Sequence, residues 1–272
     1  MQAFNSATSR VFDLLLAPFG YRFAWFDLLF WPVLAGIIAL LVYKKISNQA
    51  GIADAKRWIV VNLLEVVVYR NDIASVLRST GRALAHNARY LAYNIVPLLV
   101  MIVPMTVILV QLVSHFAYRP LDKGEVRLLE VALDPAAGVA SRAVSLQAPP
   151  GVAVEAGPVR TPDGHIVWRL RLEDEGDFAL RIVAPGEEQG KALAVGGDAR
   201  KIPVLRTKTW EALLYPGEDA LPSGSIFRSI RVAVEERDLS PLPSGEGGIL
   251  LWFFVASLAA GLVFKSRFGV TL

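Results

Sequence analysis

The chain contains no cysteine. Thiolate nucleophiles, disulfides and cysteine-ligated metals are therefore excluded. The absence does not decide the compartment, because a domain on the oxidising side of a membrane also folds without disulfides. Histidine is scarce. The three present, His86, His115 and His165, fall in segments of different character and do not make one site. There is no Gly-x-Gly-x-x-Gly after a strand, no P-loop lysine pattern and no Gly-x-Ser-x-Gly; Pro222-Ser223-Gly224-Ser225 reads as a turn. The acidic group Glu173, Asp174, Glu175 and Asp177 lacks the spaced oxygens of a calcium loop and reads as a solvated turn. No catalytic, cofactor-binding or metal-ligating set is left, so an enzyme is not expected. Charge is also sparse, at 19% of 272 residues, against 54% hydrophobic residues. That share is too apolar for an ordinary soluble domain and predicts membrane spans joined to a soluble part.

Three apolar runs are long enough to consider. Residues 23–43 form the first predicted span, flanked by Trp25, Trp31 and Tyr43 as interfacial aromatics, with Asp27 near one end where a carboxylate reaches water. Residues 93–117 hold the second, with Pro97 and Pro104 inside it. Residues 249–264 form the third, followed by a tail over 265–272 that starts Lys265-Ser266-Arg267. Asn94, Gln111 and His115 are candidate polar residues within the membrane. Gln111 and His115 share a helix face; they pair with another helix, line a wet cavity or sit at the interface. Residues 1–20 do not read as a signal peptide. Phe4, Ala7, Val11, Phe12, Leu15 and Phe19 recur at helical spacing and predict an interfacial helix ending near Pro18 and Gly20, the alternative being a frayed terminus.

Residues 44–92 set the orientation. Lys44, Lys45, Lys56, Arg57, Arg70, Arg78, Arg82 and Arg89 face only Asp54, Glu65 and Asp72, a net of +5. Short Lys/Arg-rich segments beside spans stay cytoplasmic. Two apolar stripes, from Ile52 to Val67 and from Ile73 to Leu91, meet at Tyr69-Arg70-Asn71-Asp72, with Asp72 as N-cap. They predict an antiparallel helical hairpin; the alternative is two helices flat on the membrane. The predicted topology is a multi-pass protein of the cell (inner) membrane, N-terminus out, hairpin in, next segment out and C-terminus in.

Residues 118–238 change character, and 118–247 carries 16 basic and 20 acidic residues. Short alternating runs such as 166–172, with Trp168, Leu170 and Leu172 on one face, are separated by Pro-Gly and Asp-Gly turns. About seven strands predict an extracytoplasmic all-β sandwich, immunoglobulin-like in kind. Residues 239–248 read as a linker.

The order of an amphipathic approach, a span, a polar exit (Ser47-Asn48-Gln49, then Lys56), a hairpin and a return span with Pro97, Met101, Pro104 and Met105 resembles the YidC/Oxa/Alb insertases and their three-span relatives. The resemblance covers about residues 10–117, with 249–264 as a third core helix. It implies a groove that eases a polar segment into the bilayer, wetted here by Asn94 and Gln111. It implies a hairpin that receives the client, with Ile59, Leu63, Leu77 and Leu84 as candidate contacts. Lys44, Lys45, Lys56, Arg57, Arg78, Arg82 and Arg89 would then meet ribosomal RNA or anionic lipid. The implied partners are membrane lipids and nascent membrane proteins or the ribosome; DNA is not expected. A second reading is a membrane-anchored scaffold whose β-domain binds an extracytoplasmic protein or envelope component.

Overall fold

In a computed structural model, residues 2–16, 24–138, 141–197 and 201–270 are described. The expected helix end at Pro18 and Gly20, Phe19 within that helix and Phe23 at the start of the first span lie outside the described residues. The chain forms two compact units, residues 1–28 with 109–252 and residues 29–108 with 253–272.

Among the described residues there are five α-helices: α1 (Gln2–Leu16), α2 (Ala24–Ile46), α3 (Gln49–Val68), α4 (Ile73–Phe116) and α5 (Gly245–Phe264). Of these, α2, α4 and α5 are long and apolar enough to cross a membrane. The second hairpin arm and the second span form one continuous helix, α4, of 44 residues. At about 1.5 Å per residue it is roughly 66 Å long. The hydrocarbon core is only about 30 Å thick, so much of α4 projects beyond it. Pro97 and Pro104 lie inside α4 and do not end it. The predicted linker is partly ordered: α5 begins at Gly245, and the Leu239 amide donates to Ser244 Oγ at 2.9 Å.

The described residues of the first unit form eight antiparallel strands: β1 (Val126–Leu133), β2 (Ser145–Gln147), β3 (Val152–Arg160), β4 (His165–Leu172), β5 (Gly176–Ala184), β6 (Glu187–Val195), β7 (Leu205–Thr207) and β8 (Phe227–Val232). They form a five-stranded sheet, β3-β4-β1-β8-β7, and a three-stranded sheet, β2-β5-β6. Alternation sets the packing. Ile166, Trp168, Leu170 and Leu172 point inward from β4, while Arg169 and Arg171 point out to Glu155. The inward faces of both sheets meet in one core, with Leu129, Leu180, Ile182, Phe227 and Ile230 wholly buried. This is a β-sandwich domain. Lys191 on β6 is also fully buried, with its ammonium donating to Pro203 O at 2.7 Å and to Glu218. Burial pulls its pKa down, against the pull of Glu218.

The same unit includes α1, whose Phe12 and Leu16 are buried. Asp13 of α1 lies 3.0 Å from His115 Nε2 at the end of α4 and 3.0 Å from Lys201 Nζ beside the sandwich. Burial lowers the pKa of Lys201, and the ion pair with Asp13 opposes it. Asp27, expected to reach water, is only 1% exposed. Next to it, Leu28 O accepts from Trp252 Nε1 at 2.8 Å.

Candidate functional site

The second unit contains the hairpin and most of the spans. Each hairpin arm starts with a capped turn. Asn48 Oδ1 accepts from the Gly51 amide at 2.9 Å, and Asp72 accepts from the Ala74 amide at 3.1 Å and from Ser75 Oγ at 2.5 Å. The arms are joined through small and polar side chains. Ser79 Oγ donates to Glu65 Oε2 at 2.7 Å, Trp58 stacks on His86 with ring centroids 5.9 Å apart, and Lys56 lies 5.6 Å from the Tyr90 ring. Ile52, Ala55, Asn62, Ser79 and Ala83 are the buried residues of the two arms, Ile59, Val61, Val66 and Val76 are half-buried, and Gly51 lets the Tyr93 ring come close.

Nine large apolar residues face the other way. Val60, Leu63, Leu64, Val67 and Val68 form a stripe along α3, and Ile73, Leu77, Leu84 and Leu91 form one along α4. All nine are between 53% and 75% exposed. The α4 stripe continues at the same spacing through Ile95, Leu98 and Ile102 into the span, because the helix does not break at position 92. Arg78, Arg82 and Arg89 lie about 140° further round α4 at about 100° per residue, so one side is apolar and the opposite side basic.

A cleft of about 450 Å³ opens among the spans, between Gly36 to Tyr43 of α2, Leu98 to Met105 of α4 and Phe253 to Leu262 of α5. Its walls are apolar. The two hydroxyls on it are already engaged: Tyr43 donates to Asn94 Oδ1 at 2.5 Å, and Ser257 donates to Phe254 O at 3.1 Å. On one side Gly36 makes α2 and α5 touch, since a Cβ there would sit 2.3 Å from Ser257 O. Towards the Lys44–Lys45 end, Leu40, Tyr43, Ile52 and Val270 form a small core with Tyr90, Tyr93, Phe264 and Phe268 around it.

The residues singled out from the sequence fall into separate groups. Leu63, Leu77 and Leu84 stand exposed on the stripes, and Ile59 is half-buried. Lys44, Lys45, Lys56, Arg57, Arg78, Arg82 and Arg89 are exposed; Arg57 lies 3.6 Å from Asp54, and Lys44 Nζ donates to Phe268 O at 2.6 Å. Asn94 also donates to Tyr90 O at 2.7 Å and does not line the cleft. Gln111 and His115 are buried in the first unit, where His115 Nδ1 lies 2.7 Å from Gln111 O. The cleft is therefore dry in character, unlike the wetted groove implied by the resemblance. Sequence reasoning missed the cleft itself. Its signal was small residues, Gly36, Ala39 and Gly261, facing one another from helices more than 200 residues apart in the chain.

No protein-family model matches the chain, and no curated protein matches it. Among solved structures, domains 4 and 5 of the S-layer protein SbsC align with 30% of this chain at 14% identity and a TM-score of 0.24. The match spans 48% of that chain. Likeness at that level assigns neither fold nor function.

Proposed function

We propose that the protein is a non-enzymatic membrane-protein assembly factor of insertase-like layout, whose hairpin receives an apolar segment of a client. The observation that carries this reading is the inverted packing of the hairpin. Small and polar groups link its arms, with Ile52 buried and Ile59, Val61, Val66 and Val76 half-buried, while its leucines and Val60, Val67 and Val68 are turned outward. Covering each such side chain is worth about 1–2 kcal/mol. A stripe of several gives a grip with little side-chain specificity, which suits clients of varied sequence. The stripe on α4 leads from the hairpin towards the bilayer, so a captured segment has a continuous apolar path.

In this reading the resemblance to the YidC/Oxa/Alb superfamily holds in element order. The N-terminus and β-domain are extracytoplasmic, the hairpin and C-terminus are cytoplasmic, and the sandwich is immunoglobulin-like. The excess of Lys and Arg over 44–92 and at 265–267 supports the orientation.

Photo-crosslinkers at Leu64 and Leu77 of the full chain in membrane vesicles test the reading while a transmembrane model protein is translated. Adducts with the nascent apolar segment are expected. Adducts with phospholipid alone overturn it. Capture of folded partners solely through the 118–238 domain also overturns it and points to the scaffold reading.

A further inference from the structure

We infer that the cleft among α2, α4 and α5 is a site for one acyl chain of an anionic phospholipid, whose headgroup sits at the cluster Lys45, Lys265 and Arg267. The dimensions choose the occupant. Gly36 to Tyr43 and Leu98 to Met105 each extend along their helix by about 10 Å, and Phe253 to Leu262 by about 14 Å. That is the depth of about one leaflet, half of a hydrocarbon core roughly 30 Å thick. A client helix would need the whole bilayer thickness. An extended acyl chain from a single leaflet does not.

The chemistry agrees. The cleft walls are apolar, and their two hydroxyls are bonded within the protein. Its Tyr43 end is one residue from Lys44. The bond from Lys44 Nζ to Phe268 O brings the chain after α5 to that same end, so Lys45, Lys265 and Arg267, all exposed, lie on the segments that meet there. Residues 29–53, 91–108 and 253–270 contain no aspartate or glutamate. The segments that carry the cluster bring no carboxylate of their own to it, the next acidic residue in the chain, Asp54, lies 3.6 Å from Arg57, and a phosphate headgroup supplies the missing charge. The site does not depend on the client-binding reading, and its test uses no client.

The full-length protein is purified in detergent and titrated by native mass spectrometry with dioleoyl phosphatidylglycerol or dioleoyl phosphatidylcholine. Wild type is expected to retain one phosphatidylglycerol about tenfold more tightly than phosphatidylcholine, given the favourable field of three cations. A Cβ at Gly261 meets open space, so Gly261→Leu puts four carbons into the cleft without a clash at Cβ and is expected to weaken retention of both lipids at least tenfold. The triple variant Lys45→Gln, Lys265→Gln, Arg267→Gln keeps the cleft and is expected to bind both lipids equally. Equal retention of the two lipids by wild type overturns the inference. So does retention unchanged in Gly261→Leu at wild-type helicity, or a preference that survives the triple variant.

Discussion

In the β-domain Leu129, Ile166, Leu170, Leu180, Phe227 and Ile230 are wholly buried, whereas in the hairpin Val67, Val68, Ile73 and Leu77 are two-thirds or more exposed. The residue types are the same; what they face is not. Strand alternation puts one residue in two on the inner face, and a second sheet lies across to cover it, so the sandwich completes its own core. The hairpin has two helices and no third layer. Its arms touch through Ser79–Glu65 and Trp58–His86, and its apolar stripes have nothing from their own unit over them. A domain that closes its core needs no partner to be stable. A hairpin that turns leucines outward leaves a surface for something else.

The contrast is broken most directly by truncation on each side. Leu170→Ala is expected to destabilise the sandwich by about 2–5 kcal/mol, because a wholly buried leucine leaves a cavity. Leu64→Ala on the hairpin should cost no more than about 0.5 kcal/mol. Urea-dependent proteolysis of the full chain reads both, and equal costs would mean that the hairpin stripe is a core after all. A second comparison lies within the span unit. Gly36→Leu drives a side chain into Ser257 O and should loosen the spans by about 1–3 kcal/mol. Gly261→Leu points into open space and should leave thermal stability in detergent near the wild-type value.

The smallest effect concerns pH. In the β-domain Arg119 and Arg127 both bond Glu125 and Glu235. The hydrogen bond from Arg119, followed by that from Arg127, holds the Glu235 carboxyl below its ordinary value of 4.5. Burial alone would raise Glu125, but the bonds from Arg119 and Arg127 outweigh it and lower that carboxyl too. The unfolded chain then takes up protons at a higher pH than the native one. The stabilisation is present above about pH 4.5 and is lost as pH falls through the lower native values. Arg127→Gln should flatten that acid limb of the sandwich's urea midpoint and leave the midpoint at pH 7 only slightly lower. An unchanged limb would show that this exposed network contributes nothing measurable.

Most elements were legible in the sequence because each rests on a local rule. The alternation of 166–172 appears as β4, Asp72 caps α4 as its position suggests, and the three apolar runs lie in the three long helices. The short β2 and the loop held by Lys191 and Glu218 were not legible, since three residues carry too little pattern and a lysine reads as surface. The continuity of α4 was hidden for a different reason. The sequence turns from amphipathic to wholly apolar near Ala92, and composition marks that as a boundary although the backbone has no cause to break there.

The candidate sites divide the same way. The chain by itself determined where charge lies, how many runs are long enough to span a bilayer, and which residues share a helix face, because these follow from residue type and a period of 3.6 or 2. Only the tertiary structure decided which face looks outward. Ile59, Leu63 and Leu77 all read as one hairpin's apolar stripe, yet Ile59 is half-buried while the two leucines stand clear. Likewise the cleft exists because α2 and α5 touch at Gly36 while space stays open at Gly261. Close approach between distant segments depends on how helices lie against one another, and no periodicity within a single helix records it.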